Sequence, residues 1–201
     1  MELLYDNLMY FENKILPYYI LLYTAKGVIV INPLERNLKH LTGASHSKYV
    51  SIKNADAQYF YKQVRNKNIH LFHLINKDKY LNKCLDYKDL LILSKNMCFV
   101  ELFDSLLGNP QLCLYAKASN TDIFDTAYLH FKLTENYGLY LGVIGDNESN
   151  YHFFNSIIQS IENPNKYIVK KINVSKIKFI MKEEFIEENY AFYLSKRNQN
   201  D

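Results

Sequence analysis

The chain has 201 residues, 48% hydrophobic and 22% charged, with a net charge of +3. That is globular composition, long enough for one sizeable core without staples, and its slight positive balance permits an anionic partner without requiring one. Three cysteines, Cys84, Cys98 and Cys113, form no paired spacing. This argues against a disulfide framework or a cysteine-based metal knuckle and makes a reduced cytoplasm the expected setting.

Residues 2–16 read as an amphipathic helix, with Leu3, Leu4, Leu8, Phe11 and Ile15 at helical spacing and Pro17 as the stop. The start, MELLYDNLMYFENK, is acidic and broken by polar residues, unlike a signal peptide. No apolar run is long enough to span a bilayer. Tyr18–Thr24 and Val28–Asn32 read as a hairpin turning at Gly27. The exit through Pro33 leads into a loop with the run RNLKHLTGASHSK, residues 36–48.

Residues 54–66 predict a helix starting near Ala55 or Asp56, and the mixed stretch 69–93 predicts short helices. Residues 94–107 predict one helix capped by Ser94 and stopped by Gly108. After Pro110 the pattern becomes strand-like: Leu112–Ala116, Ala127–Leu133, Tyr137–Ile144, an aromatic run around His152, then Tyr167–Val174 and Ile177–Met181. Residues 182–201 read as a charged C-terminal helix and tail beyond a single domain of 1–181. The expected class is α+β, with an N-terminal hairpin and helices packed on a mainly antiparallel β-meander.

The run at 36–48 holds Arg36, Lys39 and Lys48, two imidazoles, and no acid after Glu35. A second basic strip, 165–178, carries Lys166, Lys170, Lys171, Lys176 and Lys178. Cutting an RNA phosphodiester needs a base for the 2′-hydroxyl, an acid for the leaving oxygen, and cations for the phosphorane. Imidazole titrates near neutrality and suits either proton-transfer role. His40 is therefore the leading candidate, with Lys39 and Arg36 holding phosphate. Backbone N–H groups around Thr42 and Gly43 offer an anion nest. His152 in NYHFF and His130 on the polar face of a strand are further candidates, as is a loose Arg-x4-His pair, Arg65 and His70. The ordinary alternatives are packed histidines and solvated lysines. No metal-ligand spacing, P-loop or Gly-x-Gly-x-x-Gly is present.

In order, these pieces resemble the phage-associated nucleases of the barnase–EndoU–colicin–RelE (BECR) superfamily, specifically the fourth phage-associated group. YYILLYTAKGVIVINPLERNLKHLTGA resembles its hairpin and Phe/Leu-x-His-Leu-x-Gly signature, here Leu38, His40, Leu41 and Gly43. QYFYKQVRNKNIHLFHL, MCFVELFDSLL and YGLYLGVIGDNESNYHFFNSI resemble its later blocks, with His152 where the group usually has Thr or Ser. The resemblance implies a BECR-like fold and a metal-independent, cofactor-free endoribonuclease. It also implies a toxin or mobile-element effector that leaves a 2′,3′-cyclic phosphate. On that reading His40 is base or acid, with His152 or His130 opposite and Lys39 supporting catalysis. Arg36, Thr42, Lys48, Lys170 and Tyr151 bind phosphate or RNA, and Tyr115 is a weaker stacking candidate. RNA is the partner, together with a cognate antitoxin or immunity protein. The alternative is a non-catalytic phage-encoded binding or inhibitor protein on the same fold.

Overall fold

The structure, a computed structural model, describes residues 2–25, 27–108, 114–117, 126–134, 137–145, 151–161 and 171–185. For 106–108, 114–117, 126–134, 137–139, 159–161 and 171–173 it describes the backbone alone. The chain is α+β. Helix α1 (Leu3–Lys14) buries Leu4, Leu8 and Phe11 on one face, and Ile15 follows at its C-cap. That is the stripe expected of a helix lying on a core. A hairpin of β1 (Tyr18–Thr24) and β2 (Gly27–Ile31) follows, turning at Gly27 with φ +127°. Then come short helices: α2 (Asn37–Leu41), α3 (Val50–Lys53), α4 (Ala57–Arg65), α5 (Leu71–Leu74) and α6 (Lys77–Leu81). Two longer ones, α7 (Tyr87–Met97) and α8 (Phe99–Gly108), complete the helical part.

Strands β3 (Leu114–Lys117), β4 (Thr126–Thr134), β5 (Tyr137–Gly145) and β6 (His152–Ile161) form an antiparallel meander, and β7 (Lys171–Met181) crosses back to pair antiparallel with β3. The hairpin is not packed onto this sheet but built into it. β1 pairs antiparallel with β7, and β2 meets β6 in parallel, so the order β1-β2-β6-β5-β4-β3-β7 closes on itself. Closure removes the free edges that an open sheet must protect. The seam is short. β2 touches β6 at Ile31 and His152, where the Asn32 N–H donates to the His152 carbonyl at 2.8 Å. Beyond that pair, α2 packs along β6 in place of a strand.

One face of the sheet, with Ile20, Leu22, Ile29, Ile31, Leu141, Val143, Phe154 and Ile157, shares a single core with the helices. At alternate positions Leu21 and Val30, partners across the hairpin, are buried outside that core, as is Tyr140. They lie on the opposite face of the sheet, where Leu21 is paired with exposed Lys178 on β7. Four rings lock α1, α8 and β6 together: Phe11, Phe99, Phe103 and Phe154, with centroids 5.1–6.3 Å apart in edge-on or tilted geometry. Such pairs add about 0.5–1.5 kcal/mol each beyond simple burial.

Three expectations need correction. The helix read at 94–107 is two helices: α7 starts at Tyr87 and α8 at Phe99, with Cys98 between them. Asp86 is the cap, its carboxylate accepting from the Lys88 and Asp89 N–H groups. Ser94 instead turns its hydroxyl back to the Leu91 carbonyl, a local bond that competes with capping. Lys171–Val174 and Ile177–Met181 form one strand, because a bulge at Ser175 absorbs the extra residue against β1. Residues 182–184 form a turn in place of the start of a helix; residues 186–201 lie outside the described residues. No helix among the described residues is long and apolar enough to cross a membrane.

Candidate functional site

His40 lies in the last turn of α2, which buries Leu38 and Leu41 and leaves the imidazole exposed. Asn37 fixes the entry of this helix: its carboxamide oxygen accepts from the Leu34 N–H at 2.7 Å. Gly43 then takes a left-handed φ of +78° and reverses the chain into a 3-10 turn, Ala44–His46. The reversal returns His46 to the side occupied by His40.

The opposite wall comes from α7 and β6. Between Leu141↔Ile157 and Val143↔Phe154 the register of β5 and β6 slips by one residue. Two residues, Asn155 and Ser156, therefore oppose Gly142 alone. This β-bulge points both Phe154 and Ile157 into the core and exposes Asn155 and Ser156 at the cleft. Bulges commonly re-aim side chains in this way. Lys95 reaches across from α7, and its Nζ donates to Ser156 Oγ at 2.8 Å. The result is a cleft of about 470 Å³ lined by His40, His46, Lys95, Asn155, Ser156 and Tyr87, among others. None of its lining residues is a carboxylate.

Lys95 is 2% exposed and, among the described residues, has no carboxylate partner. Burial therefore pulls its ammonium down to about 8. Both imidazoles are held below the ordinary histidine value. For His40 the causes are partial desolvation, then Lys39 and Lys95. For His46 they are desolvation, then the charges of Lys95, His40, Lys88 and Lys53. The two rings thus feel the same buried cation. At neutral pH they stand mainly neutral, each able to accept a proton, in a hollow whose positive potential attracts an anion.

Gly43 supports this arrangement by lacking a side chain. A Cβ there would stand 3.0 Å from Lys95 Cδ and 3.4 Å from Ile92 Cγ1, on a backbone that disfavours L residues. Gly43→Ala is expected to destabilise the fold by about 1–2 kcal/mol, read by urea denaturation, and to displace the Lys95 stem. Asn96, fully buried, secures the other end. Its amide donates to the Thr42 carbonyl at 2.9 Å and to the Ile92 carbonyl at 2.8 Å, and Asn7 donates to it in turn.

Other residues singled out in the sequence go elsewhere. Lys39 is buried, and its Nζ donates to the Lys53 carbonyl at 2.8 Å and to the Ala55 carbonyl, closing the end of α3. Thr42 is fully buried with its hydroxyl on the Leu38 carbonyl. The Thr42 and Gly43 N–H groups donate to Leu38 and His40, so neither is turned outward as an anion nest. Lys48 pairs with Asp86 and, at 2.9 Å, with buried Asp89, tying the loop to the start of α7. His152 is buried at the β2–β6 seam, away from the cleft lining. Tyr151 stacks on Tyr19 at 5.4 Å. Arg65 ends α4 and faces Glu12, and His73 accepts from the His70 N–H, so no single helix carries the Arg-x4-His pair. Arg36 is exposed beside the site, its guanidinium 5.2 Å from the Phe153 ring centre. The backbone of His130 pairs with Leu114 and Tyr140, and its side chain lies outside the described residues, as does that of Tyr115. Lys170 lies outside them entirely.

Among the described residues no group of three His, Cys, Asp or Glu side chains is placed to hold a metal ion. Compared with family models, curated proteins and solved structures, the chain matches none.

Proposed function

We propose that the chain is a metal-independent endoribonuclease acting at the cleft between α2, α7 and β6. The observation that carries this is the convergence of His40 and His46 with Lys95 in one hollow free of carboxylates. One imidazole takes the proton of the ribose 2′-hydroxyl as its oxygen attacks phosphorus. The other, in the fraction of molecules where it carries a proton, gives that proton to the departing 5′-oxygen. The Lys95 ammonium, with Ser156 beside it, faces the negative charge that builds on the phosphorane. The P–O5′ bond breaks as the P–O2′ bond forms, leaving a 2′,3′-cyclic phosphate and a 5′-hydroxyl. A cleft of about 470 Å³ suits a nucleotide-sized portion of the substrate.

The resemblance to the phage-associated BECR group supports the same reading. It adds a toxin or mobile-element role and a cognate antitoxin or immunity protein as protecting partner, and three cysteines with no paired spacing fit a cytoplasmic setting. The assay is purified protein with end-labelled RNAs of varied sequence in EDTA. Cleavage to 5′-hydroxyl and cyclic-phosphate ends is the expected result; intact RNA across the whole set would sink the proposal.

A second reading, a non-catalytic binding protein, draws on another feature. Tyr49, Val50 and Tyr59 are 42%, 66% and 55% exposed, and both tyrosines line a hollow of about 570 Å³ with Ile52 and Phe72. Inertness toward RNA, with a protein partner whose binding fails in Tyr59→Ala, would favour it.

A further inference from the structure

We propose that the small hollow beside Arg36 and Phe153 is a second nucleobase subsite, holding the nucleoside that departs with the 5′-oxygen of the scissile phosphate. The proposal rests on the ribonuclease reading and extends it. This hollow, of about 200 Å³, is lined by Arg36, Asn37, His40, Ile144, Phe153 and Asn155, among others. His40 and Asn155 also line the larger cleft. His40 therefore stands on the divide between two adjoining hollows.

That position has a chemical consequence. A phosphodiester joins two nucleosides, and the group exchanging protons at the phosphate must sit between them. If the phosphate lies among His40, His46 and Lys95, one nucleoside extends along the larger cleft toward Tyr87 and Leu91 and the other passes His40 toward Arg36. The smaller hollow has room for a base more readily than for a whole nucleotide. Its chemistry also suits a base. The Arg36 guanidinium lies over the Phe153 ring, and both are planar surfaces on which any base can stack. Among the described residues no carboxylate pairs with Arg36, so its charge remains available to the strand. Asn155 adds an amide with both a donor and an acceptor for a base edge or a ribose hydroxyl. The bulge that exposes Ser156 to one hollow exposes Asn155 to both.

The test compares two substrates of the same enzyme. A dinucleoside phosphate fills both hollows, whereas a nucleoside 3′-(methyl phosphate), cleaved by the same 2′-hydroxyl attack with methanol leaving, fills one. Arg36→Ala is expected to lower the ratio of their kcat/KM values about 10- to 100-fold, with Phe153→Leu moving it the same way. His40→Ala lowers both substrates together. An unchanged ratio in Arg36→Ala, or equal loss on both substrates, overturns the subsite. If wild-type protein cuts no RNA, the ribonuclease reading falls separately. The hollow is then judged by fluorescence anisotropy with a 2′-deoxy tetranucleotide. There, equal affinity of wild type and Arg36→Ala, or no binding by either, overturns it.

Discussion

His40→Ala is expected to lower kcat/KM for RNA cleavage by about 10²–10⁴-fold, and His46→Ala by a similar factor. That is the range for removing a positioned proton-transfer group. The double variant should be little worse than either single one, because acid and base act in one step and their losses do not add. Both effects should come without unfolding, since both imidazoles are exposed and the structural bonds of their segment run through the backbone and through Asn96. A readout independent of turnover is available. The charge of His40 is one of the causes holding His46 below its ordinary pKa. Removing that charge raises the His46 pKa, so an NMR titration of the His46 ring in His40→Ala should move to higher pH. Full wild-type cleavage by His40→Ala would falsify the assignment. An unmoved His46 titration would show that the rings do not share a field.

Local pattern was enough to reveal the α+β class, α1, the hairpin, α4 and most of the meander, because each follows from a 3.6- or 2-residue alternation of burial. It was not enough to reveal closure. That depends on one contact between β2 and β6, Ile31 with His152, 121 positions apart, which no window can read. The site shows the same division. His40 was legible as an imidazole just past a strand end. Lys39 beside it was equally legible and does something else, because a five-residue helix sends neighbouring side chains in different directions, one to the cleft and one under α3. His46 stood within the same run, but its return to His40 depends on the left-handed turn at Gly43. Lys95 left a fainter signal. With Asn96 it interrupts the apolar stripe between Ile92 and Phe99, and polar groups on a buried stripe have either a partner or a task. Asn155 and Ser156 left none, since a bulge is a property of two strands in register.

The opposite signs of two effects at Lys95 provide the sharpest separation of function from structure. Lys95→Met is expected to lower kcat/KM for RNA by about 10²–10³-fold, the usual loss when a preorganised charge facing a transition state is removed. The same change is expected to make the protein more stable. In the folded state burial holds the ammonium at about 8, against 10.5 for a free lysine. Each pKa unit is worth about 1.4 kcal/mol, so below pH 8 the buried charge costs on the order of 3 kcal/mol. Methionine has nearly the same length and volume and carries no charge, so the site stays filled. Ser156 Oγ, losing its donor, can still lie against the Ile157 carbonyl at 3.4 Å. A net gain of about 1–3 kcal/mol follows, or roughly 2–10 °C in Tm for a chain of this size. The pH dependence has a definite direction. Between pH 8 and 10.5 the unfolded chain still binds the Lys95 proton while the folded chain has released it, so wild-type stability rises with pH across that window. Lys95→Met should show a smaller rise than wild type, keeping the part due to Lys182, whose ammonium burial also pulls down to about 8, and wild-type cleavage should decline above about pH 8 as the Lys95 ammonium is lost. Urea denaturation at pH 7 and pH 10, alongside a pH–rate profile, measures all three. A less stable Lys95→Met protein at pH 7 would mark the lysine as part of the scaffold and leave the phosphorane without its cation.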